Sequence, residues 1–151
     1  MKTAPLIDAI AGGARSESEV WAAALRETPE WEPVFSPLAP NGLALGVETV
    51  YEAYLVHYGR PRLFDTPDAD EAVLLGDYLY AHGLVRIADA GGVDAVRVLA
   101  GLISRCAALR ADGATGDGAA WVDAARALGG APDADAVARA LELHSARVTL
   151  L

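Results

Sequence analysis

The chain has 151 residues, which is enough for one domain with a sizeable hydrophobic core. Its 12 basic and 21 acidic residues give a net charge of −9, which argues against a nucleic-acid-binding protein and against a basic membrane-surface protein, because both rely on clustered Lys and Arg. Ala contributes 32 residues and Phe 2, so we expect a core of small side chains, as in closely packed helices. Cys106 is the single cysteine, which excludes an internal disulfide and a cysteine-based zinc site.

We expect neither a signal peptide nor a membrane span. Residues 1–13 lack the apolar run and the cleavage pattern of a signal peptide. The charge-free stretches are shorter than the roughly 18 apolar residues of a transmembrane helix. We therefore expect a cytoplasmic protein. Lys occurs once against 11 Arg, and this ratio, with the abundant Ala and Gly, is typical of a GC-rich bacterial genome.

Two helices are predicted near the start of the chain. Residues 4–11 can form a short helix, which we expect to stop at Gly12–Gly13. Ser16 and Glu19 have the spacing of a capping box, in which each side chain satisfies a free backbone N–H at a helix start. We therefore expect a second helix from Ser16 to about Glu27.

Residues 29–40 contain four prolines, which leave no room for a helix or a central strand. Trp31 and Phe35 lie within this segment. We therefore predict an ordered loop that its aromatic side chains hold against the core.

Two long helices are predicted in the middle of the chain. Asn41 can cap a helix over about 42–58, whose apolar residues recur every three or four positions. Thr66–Asp68 combines a capping residue, a proline at the first helical position and an acid that the helix dipole favours. These signals predict a helix from residue 67 to about 88.

Glycines divide the rest of the chain into three predicted helices: 93–110, 119–128 and 134–147. Gly91–Gly92 separates the first of them from the preceding helix, and a flexible glycine-rich loop over 112–118 follows it. Gly129–Gly130 ends the second helix, and Asp133 can cap the third.

No segment alternates polar and apolar residues with a period of two over a useful length, so strands are not expected. The sequence therefore predicts an all-α fold, a single-domain helical bundle of five to seven helices over residues 1–151.

His57 ends an apolar helix and is followed at short distance by Arg60 and Arg62. The planar guanidinium group of Arg binds phosphate oxygens through paired hydrogen bonds, so these three residues could form a positively charged ligand-binding site. Asp77 lies in the middle of the apolar run Val73–Tyr80, where a charge needs a partner or a ligand. His57, Arg60, Arg62 and Asp77 are the candidate ligand-binding residues; pairing of Asp77 with an Arg on a neighbouring helix is the structural alternative.

No catalytic residue and no metal site is predicted. The densest acidic cluster lies at one helix start: Asp65, Asp68, Asp70 and Glu71. Negative charge is favourable in a first helical turn without any metal, so we interpret this cluster as structural. His82 and His144 lie far apart in the sequence without a paired ligand spacing, and we interpret them as structural too.

Three segments resemble trans-polyprenyl diphosphate synthases: Ala72–Ala81, Val96–Ala100 and Val47–His57. The first two are similar to the middle of that family, and the third resembles its helix that ends Leu-x-His before the first Asp-rich motif. Gly59–Arg62 stands, in contracted form, where the family has Arg-Arg-Gly-x-Pro. The resemblance covers roughly residues 45–112 and keeps the order of the pieces.

The chain departs from this family at its metal-binding motifs. Tyr58–Gly59 stands where the paired Asp of the first motif should be, and the chain ends before the second motif. The resemblance therefore implies part of the isoprenoid synthase fold without synthase activity, similar to the small non-catalytic subunits of heteromeric prenyl synthases. No cofactor is expected, and magnesium only together with a bound diphosphate.

The resulting hypothesis is an accessory or regulatory subunit, or a binder of a prenyl-like ligand. Its expected partner is a second copy or a prenyl synthase-like subunit, bound through the apolar helices 67–88 and 93–110. Two alternatives stay open: a small helical enzyme that acts on a phosphorylated substrate, and a purely structural interaction module.

Overall fold

The computed structural model describes residues 3–148, in which the predicted all-α bundle is confirmed. Its six helices follow one another in the chain as α1 (Thr3–Glu17), α2 (Glu19–Ala24), α3 (Ala44–Tyr58), α4 (Ala69–Ala111), α5 (Asp117–Ala127) and α6 (Ala134–Val148). Two short 3₁₀ turns, Ser36–Leu38 and Asn41–Leu43, lead into α3. The described part of the chain contains no strand, and a single isolated bridge joins Leu25 to Phe64.

The helix α3 is the centre of the bundle. Every residue from Gly46 to Val56 is buried, so the other elements surround this helix on all sides. Glycines allow the close approach of α4: a Cβ atom at Gly83 would lie 2.7 Å from Val50, and one at Gly46 would lie 2.5 Å from Ile87. The small residues of the sequence therefore pack helices together, as its composition indicates.

The helix α4 bends at Gly92, whose φ of 73° and ψ of −167° are not helical. We call residues 69–91 its first arm and residues 93–111 its second arm. The predicted break at Gly91–Gly92 is thus a bend at which two helical arms meet without an intervening loop.

The core has two clusters. One lies between α3, α5, α6, the second arm and the end of the first arm, and in it Phe35 stacks on Trp121 with ring centroids 5.3 Å apart and meets the edge of Tyr51 at 5.2 Å. The other lies between α1, α2, α3 and the first arm and includes buried Ile10 and Phe64. Phe35 is fully buried, so the proline-rich segment enters the core through this side chain.

The structure corrects the boundaries predicted near the start of the chain. The first helix does not stop at Gly12–Gly13 but continues to Glu17, because Ile10 and Ala14 on either side of the glycines are buried. Each helical glycine costs about 1 kcal/mol relative to alanine, which this burial outweighs. The second helix is capped by Ser18, which accepts from the amide of Val20 at 3.0 Å, and not by Ser16.

Other helix starts lie close to the predicted ones. Asp68, rather than Thr66, caps α4 and accepts from the amide of Asp70 at 2.8 Å. Asp133 caps α6 through the amide of Ala136 at 2.8 Å, as the sequence predicts. Between residues 3 and 148, no helix has both the length and the apolar character needed to cross a bilayer.

Candidate functional site

Two of the candidate ligand-binding residues meet across the contact between α3 and α4. The Nε2 atom of His57 lies 3.6 Å from Oδ1 of Asp77 and 3.2 Å from the carbonyl oxygen of Val73. Gly76 makes this approach possible, because a side chain there would overlap the imidazole ring. The side chain of Asp77 is 64% exposed, so its charge faces water and is not buried as its apolar neighbours in the sequence suggest.

Arg60 contacts α6 and the proline-rich segment. Its Nη2 atom donates to the carbonyl oxygen of Ala146 at 2.7 Å, and its Nη1 atom lies 3.7 Å from the carboxylate of Glu30. These contacts hold the end of α6 against the proline-rich segment.

Arg62 is fully buried and serves as a structural ion-pair centre. It donates to Glu48 at 2.5 Å and to Glu52 at 2.9 Å, and its guanidinium lies 4.2 Å from the ring centre of Trp31. Burial lowers the pKa of Arg62, but Glu48 and Glu52 together raise it above its ordinary value. His57, Arg60 and Arg62 therefore do not form one positively charged ligand-binding site in the structure.

A different polar cluster lies between the ends of four helices, and the sequence did not predict it. Its members are Tyr51 and Tyr54 from α3, Arg110 from α4, Asp117 from α5 and His144 from α6. Arg110 donates through Nε to Oδ2 of Asp117 at 2.8 Å and through Nη2 to the hydroxyl of Tyr54 at 2.8 Å. The hydroxyl of Tyr54 donates in turn to Oδ2 of Asp117.

His144 is a neutral member of this cluster. It is 5% exposed, and burial lowers its pKa to about 4. Its Nδ1 atom lies 2.8 Å from the hydroxyl of Tyr51, which is fully buried and has no other acceptor among the described residues. We therefore assign the hydroxyl as donor and the imidazole proton to Nε2. The Cδ2–Nε2 edge of the ring faces the space beside Gly118, where a Cβ atom would lie 3.3 Å from Cδ2.

Asp117 has one satisfied and one unsatisfied carboxylate oxygen. Its Oδ1 atom is buried and receives no hydrogen bond from the described residues. The residue is 6% exposed and lines a cleft of about 490 Å³ between the loop after α4, the start of α5 and the end of α6. The volume lies within the range of small-molecule sites in proteins.

Two glycines, Gly116 and Gly118, line this cleft. Gly116 precedes α5 with a φ of 123°, which favours glycine, and it leaves the helix without a side-chain cap. The remaining wall combines apolar and polar groups from α4 and α6, among them Leu141, Val148 and Arg110. The side chain of Arg110 is 31% exposed, so a solute can reach this partner of the ion pair, whereas the side chain of Asp117 is 7% exposed.

The cluster is better suited to binding than to covalent chemistry. Burial raises the pKa of Tyr51 and of Tyr54, so both hydroxyls remain protonated at neutral pH. Burial likewise raises the pKa of nearby Cys106 to about 12, so its thiol is a poor nucleophile. Over residues 3–148, no three His, Cys, Asp or Glu side chains come together as metal ligands.

One helix surface is a second candidate. The α4 surface comprises four exposed large apolar side chains: Val73 at 55%, Leu74 at 59%, Val85 at 57% and Val93 at 70% exposure. Within the described residues, one further large apolar side chain, Val20, is comparably exposed. The bundle covers the other large apolar residues of the two helices that the sequence assigns to an interface. Five of them are buried and the rest are partly buried; the buried ones are Leu75, Leu79, Ile87, Leu99 and Leu102.

Comparison with known proteins gives no relative for this chain: no family model, no curated protein and no solved structure matches it. The likeness to trans-polyprenyl diphosphate synthases therefore rests on the three segments quoted above.

Proposed function

We propose that the protein binds a small polar molecule in the cleft beside Asp117. The observation that carries this proposal is the buried Oδ1 atom, which lacks a hydrogen-bond donor among the described residues. A buried acceptor without a partner costs roughly 1–3 kcal/mol. Because the Oδ1 atom is itself inaccessible, a ligand that supplies an O–H or N–H group recovers this cost when Asp117 turns toward the cleft that it lines.

The charges of the site indicate which molecules fit it. Arg110 and Asp117 form an ion pair and largely cancel each other, so a neutral or zwitterionic solute is favoured over a strongly charged one. The Nη1 atom of Arg110 donates to no described residue and can donate to a carbonyl or carboxylate oxygen of the ligand. Leu141 and Val148 offer an apolar wall for a short hydrocarbon part.

A thermal-shift screen of small polar molecules tests this function with two matched variants. Asp117→Asn keeps the shape of the side chain but removes carboxylate charge at the cleft. Asp123→Asn makes the same change on the same helix, at an exposed residue that pairs with Arg105 at 3.2 Å. We expect compounds that stabilise the wild type to bind Asp117→Asn about tenfold more weakly, a loss of about 1.4 kcal/mol.

Asp123→Asn should bind these compounds as the wild type does. Circular dichroism is used to check that both variants are folded. Equal binding by the two variants, or a screen in which no compound of any class stabilises the wild type, contradicts the proposal.

The α4 surface favours a second function, that of an accessory subunit. We propose association through this surface with a second copy or with a prenyl synthase-like subunit, because four large apolar side chains of one helix are exposed and association would remove them from water. The space enclosed beside Phe35 and Trp121 is about 10 Å³, which is enough for about one water and too small for a prenyl chain. Light scattering at micromolar concentration tests the association.

A further inference from the structure

Three polar side chains of the first arm converge on one glycine of α1. A Cβ atom at Gly13 would lie 3.1 Å from Nη2 of Arg86, 3.5 Å from Nε2 of His82 and 3.5 Å from the hydroxyl of Tyr78. The three residues follow one another at four-residue intervals, so they form one stripe along the helix. All three polar ends are thus close enough together for one small anion to contact them.

Arg86 is the cation of this group and has no acidic partner. It is half-buried, and no carboxylate of the described residues lies within 4.0 Å of it. Its guanidinium donates to two neutral oxygens instead, the hydroxyl of Thr49 at 3.0 Å and the carbonyl of Ala9 at 2.9 Å. Five N–H groups are available on a guanidinium, so these two bonds leave donors for a ligand.

Tyr78 and His82 can supply further donors. Their rings lie 5.5 Å apart, and neither the hydroxyl of Tyr78 nor the imidazole of His82 hydrogen-bonds a described residue. Burial raises the pKa of Tyr78, which keeps its hydroxyl a donor at neutral pH. Burial lowers the pKa of His82, and the charge of Arg86 lowers it further, whereas the charge of Glu17 raises it.

We propose that Tyr78, His82 and Arg86 bind a phosphate group over Gly13. A tetrahedral oxyanion offers several acceptor oxygens to the converging donors and neutralises the guanidinium. A Cβ atom at Gly13 would contact all three donors, so a side chain at this position would compete with the anion for them. All four residues are partly exposed, so a solute can reach them. The site lies between α1 and α4 and is independent of the cleft beside Asp117.

Glu17 is the acidic residue that bears on this site. It lies one helical turn after Gly13, and its charge raises the pKa of both Tyr78 and His82. It forms no ion pair with Arg86. Its charge opposes that of a bound phosphate, so removal of this charge should strengthen binding.

Two neighbouring glycines provide a matched test. Gly13→Ala places a methyl group between the three donors, whereas a Cβ atom at Gly12 meets nothing within 4 Å. Both changes replace a helical glycine with the best helix former, so both variants should fold. Binding of inorganic phosphate and of glycerol phosphate is measured by calorimetry and thermal shift, with chloride at equal ionic strength as the reference.

We expect phosphate to stabilise the wild type and Gly12→Ala above the chloride reference. Gly13→Ala should bind at least tenfold more weakly, and Glu17→Gln should bind more tightly than the wild type. A stronger response to glycerol phosphate assigns the site to an organic phosphate, and a stronger response to inorganic phosphate assigns it to the free anion. The absence of any response in the wild type, or equal responses of Gly12→Ala and Gly13→Ala, overturns the proposal.

Discussion

His144 lies in the interior with its Nδ1 atom 2.8 Å from the hydroxyl of Tyr51. Burial lowers its pKa to about 4, whereas an unfolded His titrates near 6.5. The folded state therefore needs the neutral ring, and its advantage is complete above pH 6.5. Between pH 6.5 and pH 4 the unfolded chain binds more protons, so acid lowers the free energy of unfolding.

We predict that the wild type loses about 2 kcal/mol of stability through His144 between pH 7 and pH 5. Urea unfolding at the two pH values measures this loss. His144→Gln has no titrating ring at this position, so its stability should depend less on pH by that amount. An identical pH dependence in wild type and variant would show that His144 is not held neutral.

Arg62 illustrates the opposite case, a buried charge that is fully paired. Glu48 and Glu52 each use one oxygen for Arg62 and the other for backbone amides of the loops around α3. Removal of the guanidinium leaves two buried carboxylates close together without a counter-charge.

We predict that Arg62→Leu destabilises the protein by about 3–5 kcal/mol. Arg60→Leu is the control, because the side chain of Arg60 is 41% exposed and its ion pair with Glu30 is worth at most about 1 kcal/mol. Chemical denaturation compares the two variants. Similar losses in both would contradict the assigned role of Arg62.

The polar cluster could not be predicted from the sequence, for a physical reason. Tyr54 and Asp117 are 63 positions apart, and Tyr51 and His144 are 93 positions apart, so only the packing of four helices brings them together. Asp117 lies in a glycine-rich segment that resembles a linker, and His144 lacks a neighbouring partner in the sequence. His57 and Asp77 are nearer in the chain, and the structure does bring these two candidates together.

At the scale of the elements, local signals predict helices well and their ends less well. The prolines, the Asp133 cap and the glycine pair at 91–92 act within a few residues, and the structure follows them. The end of α1 depends instead on the burial of Ile10 and Ala14 against distant helices. No local pattern reveals that burial, so the predicted stop at Gly12–Gly13 was wrong.

We predict opposite effects for two glycines of α4. Gly92 has a φ of 73° with an extended ψ, a region that is essentially restricted to glycine, so Gly92→Ala should cost about 1–3 kcal/mol. Gly101 is helical and has open space around it, so Gly101→Ala should stabilise the protein by up to about 1 kcal/mol. Thermal unfolding measures both. A stabilising Gly92→Ala would show that the bend does not exist in solution.

At the scale of the whole molecule, the large apolar side chains that stay exposed within the described residues are Val20 and the four of the α4 surface. Small residues pack the helices tightly, so the interior has little room for a ligand, and the larger cleft lies at the surface. The two proposed functions, a small-molecule cleft and an interface on α4, therefore use different parts of the exterior.

We predict that the wild type forms dimers at micromolar concentration through the α4 surface. Val85→Glu places a charge on this surface, where Val85 is 57% exposed, and should give a monomer of 15.7 kDa without loss of helix content. Val20→Glu is the control at an exposed apolar residue outside α4 and should remain dimeric. Light scattering measures the masses; a monomeric wild type would reject self-association.

The central claim is that Asp117 and its neighbours form a binding cleft, and amide NMR tests this claim most directly. The backbone amides of Gly116 and Gly118 lie at the cleft, whereas those of Gly42 and Gly101 do not line it. When a compound from the screen is added, we predict concentration-dependent shifts at Gly116 and Gly118 and none at Gly42 and Gly101. Shifts confined to residues outside the cleft, or their persistence in Asp117→Asn with unchanged affinity, would contradict the account.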